Sequence, residues 1–245
     1  MKPVLAVENL EKRYGVKTVV DQVSFAVETG ECLGIIGPNG AGKTTLFNLL
    51  DGSVQPNAGR VALEDVDITA LPQYRRARLG IGRAFQVPRP FVGLTVFENV
   101  LAGVVQRPAQ GGIAPRQRAL DVLETVGLAG KRDLVAGGLP LLDRKRLELA
   151  KAMSVGTKLL LLDEIAGGLT EHEVFQLVDI VKALKRDHAI VWIEHIAHAL
   201  IAAADRIMVL HFGAKLMDGN PAEVMASLTV QEVYLGISVD EPAHA

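Results

Sequence analysis

The chain has 245 residues and a formal net charge of −2. That length can enclose a sizeable core, and the charge lacks the basic excess of a dedicated nucleic-acid binder. Hydrophobic residues make up 49% and charged residues 22%, which excludes a disordered or fibrous chain.

Residues 1–8 lack the long apolar core of a secretory signal. No uncharged apolar stretch reaches the roughly 18 residues needed to span a bilayer, so membrane contact is expected only through a partner. Residues 4–7 alternate as a strand. Residues 19–27 read as another, with Val23, Phe25 and Val27 on one side. The apolar run 32–36 is a third strand, and its Cys32 is the chain's one cysteine. An internal disulfide is excluded, which fits a reducing cytosol with the thiol as a small core group.

That strand leads into Gly37-Pro38-Asn39-Gly40-Ala41-Gly42-Lys43-Thr44-Thr45, and a helix-compatible run follows to Leu50. The nine residues fill every position of the phosphate-loop pattern G-x-x-x-x-G-K-[ST]. A glycine-rich turn between strand and helix converges backbone N–H groups on phosphate oxygens, and the helix N-terminus adds partial positive charge. Lys43 is expected to reach the β- and γ-phosphates, and Thr44 to place its hydroxyl on Mg²⁺.

Further along, residues 59–63 read as a strand paired with the first two. Residues 67–69 read as a short strand and turn, and 72–79 as a basic helix. Residues 107–115 are rich in glycine and proline and are expected as a loop. Helices are expected over 116–126, with Leu120, Leu123 and Val126 on one face, and over 144–153. Two apolar strands, 158–163 and 189–193, flank a helix at 174–185. That alternation signals a buried parallel sheet. The first of these strands ends in Asp163-Glu164, and α/β sheets display their ligands at such strand ends. Asp163 is placed to hold the hydration shell of Mg²⁺ opposite Thr44, and Glu164 to orient and polarise an attacking water.

These motifs together resemble the nucleotide-binding subunit of ATP-binding-cassette transporters, over nearly the whole chain. Tyr14, in Lys12-Arg13-Tyr14-Gly15, matches the aromatic residue that stacks on adenine. Gln86, in Arg83-Ala84-Phe85-Gln86, matches the glutamine that touches Mg²⁺ and senses the membrane subunit. His195, in Trp192-Ile193-Glu194-His195, matches the switch histidine that reaches the γ-phosphate. The resemblance implies ATP and Mg²⁺ as cofactors. It implies nucleotide contacts at Tyr14, Gly37, Asn39, Gly40, Ala41, Gly42, Lys43, Thr44, Thr45, Gln86 and Asp163. Metal contacts follow at Thr44, Gln86 and Asp163, and catalysis at Glu164, His195 and Lys43. The implied fold is a single α/β phosphate-loop ATPase domain over residues 1–245. It would have a mixed core sheet, an antiparallel β subdomain and a helical subdomain at about 88–155.

Gly82-Arg83-Ala84-Phe85-Gln86 and Leu94-Thr95-Val96-Phe97-Glu98-Asn99-Val100 are similar to the LivG-type ATPases of branched-chain amino-acid importers. So are Gly219-Asn220-Pro221-Ala222-Glu223-Val224 and Tyr234-Leu235-Gly236. That likeness implies a second ATPase subunit in a heterodimer, transmembrane permease subunits and, indirectly, a periplasmic solute-binding protein. No nucleic acid is implied. It places the chain peripherally on the cytoplasmic face of the inner (plasma) membrane, with Val87, Phe91 and Leu94 receiving a permease helix. Two alternatives stand beside it: a soluble non-transport ATPase of the same superfamily, and an ATP-binding regulatory module with little turnover.

The chain departs from the family at the signature loop, Leu-Ser-Gly-Gly-Gln or Leu-Ser-Tyr-Gly-Gln, where it reads Leu139-Pro140-Leu141-Leu142-Asp143. Pro140 replaces the serine hydroxyl and has no N–H to donate. Leu142 replaces the glycine that permits close approach, and Asp143 is expected to repel phosphate. Arg144, Lys145 and Arg146 read as a solvated basic helix face. Thr170 stands where the family has an aspartate.

Overall fold

The computed structural model describes residues 2–106 and 113–235. Strands β1 (Leu5–Tyr14) and β2 (Lys17–Val27) form a hairpin, and β3 (Cys32–Ile36) leads into helix α1 (Lys43–Asp51). Next come β4 (Ala58–Leu63), β5 (Val66–Asp67), α2 (Gln73–Leu79) and β6 (Ile81–Ala84). Three helices follow: α3 (Val96–Val104), α4 (Pro115–Thr125) and α5 (Leu141–Ser154). Then β7 (Leu159–Asp163), α6 (Glu171–Lys185), β8 (Ala189–Ile193), α7 (Ala197–Ala203) and β9 (Arg206–His211) alternate. The chain continues through β10 (Ala214–Gly219), α8 (Pro221–Ala226) and α9 (Leu228–Leu235).

Among the described residues the strands form two sheets. One is antiparallel, in the order β2-β1-β4-β5. The other is mixed, in the order β10-β9-β3-β8-β7-β6. In the mixed sheet β9, β3, β8, β7 and β6 run parallel and β10 is antiparallel to β9. Each parallel core strand divides its residues between two cores, because successive side chains point to opposite faces. Leu160, Leu162, Ile190 and Trp192 pack with residues of α3, α5 and α6. Leu159, Leu161, Val191 and Ile193 pack with α1 and with Val23, Phe25 and Val27 of the antiparallel sheet. The phosphate-loop helix is therefore held between the two sheets. Buried Arg76 closes its C-terminal end, donating to the carbonyls of Leu49 (2.6 Å), Leu50 (3.0 Å), Leu71 (2.9 Å) and Thr69 (2.8 Å).

Several elements depart from the sequence expectation or add to it, among them all those after β8. Strand β1 continues past residue 7 to Tyr14, through irregular register around Asn9 at φ 45°. The apolar alternation stops there, but backbone pairing with β2 does not. Strand β6 was not foreseen, because its Gly82-Arg83 breaks the apolar pattern. Gly82 is needed where α5 presses on the strand, since a Cβ there would meet the Ala152 carbonyl oxygen at 2.1 Å. Helix α3 starts at a capping box in which the Thr95 side chain accepts from Glu98 N and Glu98 accepts from Thr95 N. Helix α5 begins at Leu141, not at residue 144, directly after Pro140. Most of the loop expected at 107–115 lies outside the described residues. Its last residue, Pro115, opens α4, where the fixed φ of proline suits a first helical turn.

Candidate nucleotide and hydrolysis site

The loop from β3 to α1 bends sharply, and its glycines make the bend possible. Gly37, Gly40 and Gly42 have φ of 154°, 81° and 102°. A Cβ at Gly42 would stand 2.3 Å from the Val19 carbonyl oxygen, and one at Gly37 would stand 2.2 Å from that of Leu210. Side chains at these two positions would push the loop off both sheets. Ala41 is buried and its carbonyl accepts from Gly213 N at 3.0 Å, while Asn39, Gly40 and Thr44 are exposed and Thr45 is half-buried. Lys43 folds over its own loop, donating to Gly37 O at 2.6 Å and Pro38 O at 3.1 Å. Burial lowers the pKa of its ammonium, against the pull of Glu164 and Asp163. Gly37, Pro38, Asn39, Lys43, Glu164 and His195 line a cleft of about 520 Å³.

Asp163 ends β7 and is paired with Arg83 Nη2 at 2.6 Å. The same guanidinium donates through Nη1 to Asn48 Oδ1 and Asp51 Oδ2, both at 2.7 Å, and lies near the rings of Phe47 and Phe85. Sequence reading missed Arg83 as a site residue, although it is the first residue of the quoted Arg83-Ala84-Phe85-Gln86. Glu164 has φ 46°, a strained setting for a residue with a Cβ and one that clusters at functional sites. Its carboxylate Oε2 accepts from Gln86 Nε2 at 2.6 Å and lies 3.8 Å from His195 Nδ1. His195 Nδ1 is also 3.2 Å from Glu194 Oε1. Glu194 is buried and accepts from the backbone N–H groups of Ala166, His195 and Ile196. Burial raises its carboxyl pKa, with those bonds and His195 acting against the rise. Sequence reading missed Glu194 too, since a glutamate beside a candidate histidine carries no spacing signal of its own.

The structure brings Lys43, Glu164 and His195 to one cleft, with Gln86 bonded to Glu164. Tyr14 stands half exposed at the end of β1, with Lys12 Nζ 5.2 Å from its ring centroid, and is not among the residues lining that cleft. Among the described residues no group of three or more His, Cys, Asp or Glu side chains could hold a metal alone. Thr44, Asp163 and Gln86 instead offer a few oxygen donors. That set fits Mg²⁺, which keeps water and takes further oxygens from nucleotide phosphates.

The altered signature segment is built differently from expectation. Asp143 is buried, ion-paired with Lys131 and 3.7 Å from Arg146 Nη1. Its charge is therefore neutralised inside the protein and does not face a phosphate position. The basic run is a solvated face only at Arg144, which is exposed, while Lys145 is buried and Arg146 half-buried. Arg144 donates to Leu139 O at 2.7 Å and Gly137 O at 3.1 Å, and Arg146 donates to Gln176 Oε1 at 2.8 Å. Leu142 is buried and Leu141 is 41% exposed. Thr170 caps α6 through a capping box with Glu173.

The family described as ABC transporter matches residues 20–167. The chain belongs to the ABC transporter family. Over 96% of its length it is 34% identical to the lipopolysaccharide export system ATP-binding protein LptB of Acidithiobacillus ferridurans, covering 98% of that protein. It is 35% identical to the high-affinity branched-chain amino acid transport ATP-binding protein LivG of Salmonella typhimurium, with the same two coverages. Among solved structures, the ADP conformation of MJ1267, an ATP-binding cassette of an ABC transporter, superposes with a TM-score of 0.87 at 29% identity. The match covers 97% of this chain and all of that one. The cbiO1 structure from Clostridium perfringens, part of the ABC transporter complex cbiONQ, superposes with a TM-score of 0.83 at 26% identity, covering 96% of each chain. This ABC ATPase has the family's α/β fold, binds ATP and is the ATPase component of a transporter.

Proposed function

We propose that this ABC ATPase powers an importer of branched-chain amino acids or related small solutes. The observation that carries the hydrolytic part is the convergence of Lys43, Glu164 and His195 on one cleft, with Gln86 donating to Glu164 at 2.6 Å. In this reading the loop N–H groups and Lys43 hold the phosphates, and Tyr14 stacks on adenine. Glu164 accepts a hydrogen bond from the attacking water and polarises it toward the γ-phosphate. His195, whose Nδ1 lies 3.2 Å from Glu194 Oε1, is the group that meets the γ-phosphate. Mg²⁺ bound with ATP at Thr44, Asp163 and Gln86 would neutralise charge on the β- and γ-oxygens. The ATPase domain spans the chain, with a helical subdomain at about 88–155.

The import reading is supported by the LivG likeness, and the LptB likeness names the competing direction, export of a lipopolysaccharide. Val87, Phe91 and Leu94 are 66%, 56% and 39% exposed, an apolar face suited to a helix of a permease subunit. Buried Asn99 fixes Phe91 by bonding both its N–H (2.8 Å) and its carbonyl (3.1 Å). No helix among the described residues is long and apolar enough to cross a membrane. In this reading the chain sits on the cytoplasmic face of the inner membrane through its permease, paired with a second ATPase subunit and served by a periplasmic binding protein. Purification from native membranes tests this. Multi-span proteins should co-purify, and branched-chain amino acids with their binding protein should raise the ATPase rate of the reconstituted complex. Stimulation by lipopolysaccharide instead would establish export.

A further inference from the structure

One face of α5 grips the backbone that follows β6. Lys145 donates to the Gln86 carbonyl at 2.5 Å, Glu148 accepts from Arg89 N at 3.1 Å, and Lys151 donates to the Arg89 carbonyl at 2.6 Å. The three side chains recur at intervals of three, so they share a helix face. Lys145 and Glu148 are 2% and 3% exposed. A buried ammonium needs compensation. Here it comes from one carbonyl and from the fields of Glu194, Glu148 and Glu164, which oppose the fall in pKa that burial causes. Helix α5 itself is seated hard on β6 at Gly82. Gln86 is thus fixed at its main chain by Lys145, while its side chain reaches Glu164 at 2.6 Å.

We propose that Lys145 is a positioning residue for hydrolysis: from the first turns of α5 it sets the Gln86 backbone so that the Gln86 amide orients Glu164. This rests on the reading of Glu164 as the carboxylate that polarises water. Lys145 touches no reacting atom in it. Through this contact the signature helix acts on its own subunit's hydrolysis centre, a role that does not need the serine and glycine missing at Pro140 and Leu142.

The test uses the full chain with Lys145→Met, which keeps the apolar stem, and Lys145→Arg, which keeps a cation. Single-turnover hydrolysis of ATP should slow about 10–100-fold in Lys145→Met. The affinity for a non-hydrolysable ATP analogue should stay within about twofold, and Lys145→Arg should recover much of the rate. Adding Lys145→Met to Glu164→Gln should change the rate less than about twofold, because the two act through one carboxylate. A crystal structure of Lys145→Met should show Gln86 Nε2 and Glu164 Oε2 separated beyond about 3.5 Å. Retained hydrolysis in Lys145→Met, with hydrolysis lost in Glu164→Gln, overturns the proposal alone. Retained hydrolysis in Glu164→Gln overturns the reading beneath it as well. An unmoved Gln86 in the Lys145→Met crystal overturns the proposal whatever the rates.

Discussion

Lys43 holds its ammonium against two carbonyls of its own loop, and a phosphate is a stronger acceptor than either. Lys43→Ala should leave the fold intact and remove a charge-assisted contact of about 1.5–3 kcal/mol, one to two decades in ATP affinity. Nucleotide titration reads this directly, and unchanged affinity would remove Lys43 from the phosphate site. Glu164→Gln keeps shape and hydrogen-bonding reach but loses the charge that the proposed mechanism uses to polarise water. ATP binding should persist while hydrolysis falls about 10²–10⁴-fold, measured as phosphate release. The local settings of Lys43, Asp163 and Glu164 were legible in the sequence because near neighbours set them: a glycine pattern, or a carboxylate after four leucines. Arg83 and Lys145 were not. Their partners lie 80 and 59 positions away, at Asp163 and Gln86, and no local pattern encodes such a pairing. Asp143 misled for the same reason, since its ion-pair partner Lys131 sits 12 positions upstream.

At the level of elements, the parallel strands were readable because burial on both faces demands an unbroken apolar run. Strand β6 escaped because its Gly82 answers to α5 rather than to any periodicity, and the later part of β1 because bulges disturb the alternation. Helix α6 follows the Glu164 turn directly, and its start is fixed by Thr170. The threonine side chain accepts from Glu173 N at 3.4 Å, and Glu173 accepts from Thr170 N at 2.9 Å. Thr170→Ala should therefore lower unfolding free energy by about 1 kcal/mol in urea denaturation. The cap gives Thr170 a structural task where the family has an aspartate. An unchanged denaturation midpoint would show that Glu173 and the backbone hold the helix start without it.

For the whole molecule, the segment Leu139–Asp143 bears on assembly. With no serine hydroxyl and no glycine, a homodimer would lack those contacts at both nucleotide sites, a loss of about 1.5–3 kcal/mol at each. The proposed heterodimer would restore them at one site, where this chain's phosphate loop meets the partner's signature. The isolated chain should be a monomer or a weak ATP-dependent dimer with slow ATPase, and both properties should strengthen when the partner ATPase is added. Sedimentation and ATPase rates, alone and mixed, measure this. Tight ATP-driven self-association with full turnover would rule out unequal sites. A last consequence follows from Arg76. Helix α1 has only nine residues, too few to persist by itself. Its carbonyl end is tied down by a guanidinium from α2, while its amide end faces the proposed phosphate site. The helix is thus anchored at one end and free to fray at the other. Amide hydrogen exchange should be faster at residues 43–47 than at 49–51 in the nucleotide-free chain, and ATP should close that gap.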